Sequence, residues 1–90
     1  MVIMINESWA ATAVASEIVP ADNSRASVTL QLYSGSPMYI AFGGTAPVVG
    51  KGIRLSTTFP LVVIDDYRAA LAIRGKCDAG LTAAGGYATA

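Results

Sequence analysis

The chain has 90 residues with no histidine and one cysteine, and its six basic and six acidic residues cancel. This excludes an internal disulfide, leaves almost no ligands for a structural zinc, removes the commonest general base and provides no basic field for nucleic acid. Charged residues make up 13% and apolar ones 53%, against about a quarter charged in ordinary soluble domains, so the surface is expected to be covered by neighbouring subunits.

Trp9 to Ile18 is rich in alanine and could be helical by propensity. Its β-branched residues and the following Pro20 favour an extended arm or an edge strand, with Val14, Ser16 and Ile18 as a weak alternating set. Trp9, on that arm, is a candidate interface anchor, because tryptophan and tyrosine anchor protein interfaces. Asp22-Asn23-Ser24 is a turn cluster. Ala26 to Tyr33 then gives the clearest period of two. Val28, Leu30 and Leu32 share one face, and Ser27, Thr29, Gln31 and Tyr33 share the other.

Ser34-Gly35-Ser36-Pro37 turns the chain, and Met38, Ile40 and Phe42 line one face of the next strand. The following loop contains Gly50-Lys51-Gly52. A phosphate-binding loop needs four residues between its glycines and Ser or Thr after the lysine. Here five separate Gly44 from Gly50, and Gly52 follows Lys51. The segment reads instead as an ordered hairpin loop whose glycines take positive φ.

Ile53 and Leu55 are expected to point in, and Arg54 and Ser56 out. Phe59 to Ile64 is apolar on both faces, the pattern of a strand covered on both sides. Pro60 belongs at an edge or bulge, since it cannot donate to a ladder. Asp65-Asp66-Tyr67 is a turn in which the carboxylates cap backbone N–H groups; a weak calcium site is the lesser alternative. Leu71 and Ile73 are expected inward, with Ala70, Ala72 and Arg74 opposite. Gly75-Lys76-Cys77-Asp78 reads as a turn, with Cys77 a plain loop or half-buried thiol. Alternation over Ala79 to Ala84 is weak, and Leu81 to Ala90 lacks a strong last strand.

Turns recurring every 8 to 14 residues indicate an all-β fold, a small antiparallel sandwich or barrel of jelly-roll or immunoglobulin-like type. Residues 1–17 are expected as an extended N-terminal arm and 18–90 as a single β domain. No run of about 18 apolar residues exists, so no membrane span is expected. Met1 to Ile5 is too short for a signal core. The lone cysteine fits synthesis in a reducing cytoplasm.

The motifs, taken in order, resemble those of small structural proteins of tailed-bacteriophage virions. The residues that carry the resemblance are Ile18-Val19-Pro20-Ala21-Asp22-Asn23-Ser24-Arg25, Val28-Thr29-Leu30-Gln31-Leu32, Tyr39-Ile40-Ala41-Phe42-Gly43, Gly50-Lys51-Gly52-Ile53-Arg54-Leu55, Asp65-Asp66-Tyr67-Arg68 and Ala70-Leu71-Ala72-Ile73. The resemblance implies a non-enzymatic capsid decoration or cement protein without cofactor or metal, made in the host bacterial cytoplasm and placed on the outer surface of the virion. Its partners would be the major capsid protein and itself, as a homotrimer or alternatively a dimer. The rival reading is a tail or fibre module that binds a host-surface carbohydrate, for which the tyrosines would be stacking platforms. Trp9, Arg25, Tyr39, Lys51, Arg54, Tyr67 and Arg68 are the candidate interface residues.

Overall fold

The computed structural model describes residues 6–89, so the first five residues of the expected arm and Ala90 lie outside the described residues. Eight strands alternate with turns: β1 (Asn6–Ala11), β2 (Ser16–Val19), β3 (Val28–Gly35), β4 (Met38–Phe42), β5 (Ile53–Leu55), β6 (Leu61–Ile64), β7 (Ile73–Cys77) and β8 (Ala83–Thr89). One short 3₁₀ turn, Tyr67–Ala70, precedes β7. The first sheet has the order β1-β8-β3-β6 and the second β2-β7-β4-β5.

The pairings nest. β4 pairs with β5, β3 with β6, β2 with β7 and β1 with β8, all antiparallel, as in one long hairpin folded over on itself. Contacts β3·β8 and β4·β7 then join the nested pairs within each sheet. Eight strands wound in this way form a jelly roll.

Alternation places the core where the sequence puts it. Val28, Leu30 and Leu32 of β3 face Met38 and Ile40 of β4 across the sandwich, with Leu55, Ile64, Ile73 and Val19 closing around them. Each large side chain fully buried there contributes about 1.5–3 kcal/mol. Gly43, Gly50 and Gly52 have φ of 66°, 84° and 76°, as the loop between β4 and β5 was expected to require.

Several expectations need correction. The segment around Trp9 takes its edge-strand form, as β1, and Trp9 itself belongs to the core. Its indole N–H donates to the Gly86 carbonyl at 3.0 Å. The bare backbone of Gly85 makes room for its ring. The final segment is a full strand, β8, held in the first sheet between β1 and β3. The turn expected at Gly75 to Asp78 lies later, because β7 runs on to Cys77, whose thiol is fully buried. Ser56 is buried rather than outward. Its Oγ accepts from the Phe59 N–H at 3.2 Å, and its own N–H donates to the Phe59 carbonyl at 3.2 Å. Phe59 to Ile64 is covered on one face only: Val62 and Ile64 pack inward, while Phe59, Leu61 and Val63 are exposed.

Candidate interaction surface

The candidate contact residues do not form one cluster. Trp9 and Arg25 are buried and unavailable as surface anchors. Arg25 is a structural clamp: its Nε donates to the Ala69 carbonyl, Nη1 to that of Pro20 at 3.0 Å and Nη2 to that of Leu71 at 3.1 Å. A guanidinium's fixed fork suits three diverging acceptors. It ties the turn after β2 to the 3₁₀ turn before β7.

The others are on the surface in three places. Tyr39 on β4 stands directly opposite Arg54 on β5 and Lys76 on β7. Lys51 is exposed in the Gly/Pro-rich loop. Tyr67, 80% exposed, and Arg68 lie at one end of the sandwich, where they line a shallow hollow with Phe42, Thr45, Gly52 and Ile53. Arg68 is not free to reach outward. Its Nη2 is 2.8 Å from an Asp66 carboxylate oxygen, and its guanidinium carbon sits 5.0 Å from the Phe42 ring centre. Asp66 also accepts from the Arg68 backbone N–H at 2.9 Å, capping the 3₁₀ turn. Donation from the Arg68 side chain, then from its amide, holds the Asp66 carboxyl below its ordinary pKa. The hydroxyl and amide of Ser24 do the same for Asp22.

The outer faces of the two sheets differ in kind. Residues directly opposite in neighbouring strands share a face. On the second sheet Glu17 faces Arg74, and Arg54 and Lys76 flank Tyr39, so this face is charged and mostly basic. On the first sheet Ser8, Gly86, Gln31 and Leu61 make one cross-strand row, and Ala88, Thr29 and Val63 make the next. Tyr33 leans over Gly86, where an added Cβ would stand 2.5 Å from its hydroxyl. Glu7 is the one charged residue in β1, β3, β6 and β8 together. Phe59, Leu61, Val63 and Tyr33 are all more than half exposed on this neutral side. An open groove runs across it, lined by Glu7, Ser8, Thr29, Gln31 and Tyr33.

Of these neutral-face residues the sequence singled out Tyr33 alone, as one of the tyrosines that would stack a sugar in the rival reading. The signal was present in Phe59 to Ile64, whose second apolar face has no layer among the described residues to cover it. Among the described residues no three histidine, cysteine, aspartate or glutamate side chains gather as metal ligands. No family model matches the chain, and comparison with curated proteins and with solved structures yields no match.

Proposed function

We propose that the chain is a non-enzymatic structural subunit of a tailed-phage virion, a decoration or cement protein that docks on the outside of the icosahedral head. The observation that carries this reading is the neutral outer face of the first sheet, with Leu61, Val63 and Tyr33 exposed on it. A sheet face whose four strands carry one charge, Glu7 on the edge strand β1, loses little by desolvation when it is covered and gains from every apolar side chain removed from water. The charged face of the second sheet remains in solvent and keeps the subunit dispersed before docking. The order of motifs, which resembles that of virion structural proteins, supports the same reading, as does a jelly-roll architecture common among capsid domains. Fold alone does not assign function, so the weight rests on the face.

Mechanically the subunit is a clamp. One copy seated across the junction of two capsomers adds buried interface, and linked copies multiply that gain through effective concentration. Purified protein added to expanded, undecorated shells of the cognate phage is expected to raise their disruption temperature. Gln31→Lys together with Val63→Lys, which charges the neutral face without touching the core, is expected to abolish the rise. Equal disruption temperatures with and without wild-type protein would refute the clamp.

The groove lined by Glu7, Gln31 and Tyr33 favours the second reading, a tail or fibre module holding a host-surface sugar. That reading calls for glycan binding by the isolated protein, lost on Tyr33→Ala, with no effect on shells.

A further inference from the structure

We propose that two copies of this chain pair through β6, edge to edge and antiparallel, so that their first sheets join into one continuous sheet. The two sheets have four edge strands, β1, β6, β2 and β5. Charge on an edge strand is a common guard against the addition of another strand. β1 carries Glu7, β2 carries Glu17 and β5 carries Arg54, whereas β6 reads Leu61-Val62-Val63-Ile64 and carries none. β6 is the unguarded edge.

Its hydrogen-bond phase is fixed. The Leu32 N–H donates to the Pro60 carbonyl at 2.8 Å, so residues 60, 62 and 64 turn their backbone groups toward β3. The N–H and C=O groups of Leu61 and Val63 therefore face away from the sheet, and among the described residues no other segment bonds to them. An extended strand is the partner that satisfies these groups together.

β6 itself fits that role. In an antiparallel pair centred on Val62, Leu61 exchanges both backbone bonds with the partner's Val63, and Val63 does so with the partner's Leu61. Pairing stops at Phe59, whose N–H and C=O are taken by Ser56. Each Asp65 then falls opposite the partner's Phe59, six residues and about 20 Å from the partner's Asp65. Parallel pairing would instead bring the two carboxylates side by side. On the outer face Phe59, Leu61 and Val63 of the two copies form one apolar strip, continuous with the neutral face. So short an edge covers less than the roughly 800 Å² per partner typical of stable interfaces. Pairing is accordingly reversible in dilute solution and strengthens where copies are crowded.

The test uses the isolated full chain and does not depend on any shell. Across the two-fold axis Val62 meets the partner's Val62 as a non-hydrogen-bonded pair, with Cα atoms about 4.5 Å apart, within the range a disulfide spans. Val62→Cys is expected to give a covalent dimer on mild oxidation, while the buried Cys77 leaves the wild type uncrosslinked. Adding Leu61→Lys to Val62→Cys is expected to prevent the crosslink while circular dichroism still reports the β fold. Sedimentation of the wild type is expected to show mass rising toward two copies with concentration, and Leu61→Lys to remain a monomer. A folded Val62→Cys protein that does not crosslink overturns the proposal. So does crosslinking unaffected by Leu61→Lys, or a wild type that stays monomeric or converges on three copies.

Discussion

Arg25 shows how far a single residue's role depends on what surrounds it. By composition it is one more scattered charge. In the fold it is 8% exposed, and its hydrogen-bond partners are three backbone carbonyls. Arg25→Met keeps much of the apolar stem but leaves those acceptors unpaired, which is expected to cost about 3 kcal/mol in urea denaturation. Arg25→Lys recovers little of that loss, because an ammonium cannot span the fork. An unchanged denaturation midpoint for Arg25→Met would remove the clamp. Asp66 gives the pH signature. Its folded pKa is below the ordinary 3.8, so near that pH the folded chain binds fewer protons than the unfolded chain. The stabilisation is therefore complete above the unfolded pKa and is lost as pH falls through the folded one. Asp66→Asn retains a capping side chain but lacks the charge that meets Arg68. Its melting temperature is expected to lie below wild type at pH 7, with the gap closing at pH values below about 4. A gap of constant size across that range would contradict the assignment.

Among the elements, β8 is the one whose logic the sequence hides. Ala-Ala-Gly-Gly-Tyr-Ala-Thr has little of the branched or aromatic character expected of a strand held between two others. Small residues are required there because the missing volume arrives from elsewhere: Trp9 of β1 lies over Gly85 inside the sandwich, and Tyr33 of β3 lies over Gly86 outside it. The two glycines should respond differently to substitution. A Cβ on Gly85 would overlap the Gln31 carbonyl and stand 2.5 Å from the Trp9 ring, both held by the core. A Cβ on Gly86 would mainly displace the mobile end of Tyr33. Gly85→Ala is expected to lose about 3 kcal/mol or more, and Gly86→Ala far less, by thermal and urea unfolding. Equal losses would show that Trp9 is not wedged against β8. The strands β3, β4 and β5 were readable because large apolar residues alternate in each with polar or small ones. β7 was placed too early, since Gly75-Lys76 looks like turn chemistry when nothing reveals that Gly75 faces inward against Met38.

For the whole molecule, the division of charge between two faces is the main result. A sandwich with one neutral and one charged exterior has a direction, which a uniformly polar surface lacks. If shells are gripped by the neutral side, their affinity for the protein should change little as salt is raised, because screening acts on charges. Docking through Arg54, Arg74 and Lys76 would instead weaken steeply with salt. Titration of shells at low and high salt separates the two, and a steep decline would move the contact to the second sheet. The candidate surface was only partly legible beforehand. Tyr39, Lys51, Arg54 and Tyr67, named as candidate contacts, lie on the exterior, but the neutral face went unrecognised because it is defined by what four separate strands lack.

Composition and period determined by themselves that this chain is all-β, that β3 and β4 bury one face, and that the chemistry of histidine and of paired cysteines is closed to it. The tertiary structure alone decided which strands became neighbours, and with that which apolar face found a cover. Alternation is a local property of a strand, whereas burial depends on residues far along the chain. Trp9 meets Gly86 across 77 positions, and among the described residues no such layer reaches the outer side of Leu61 and Val63.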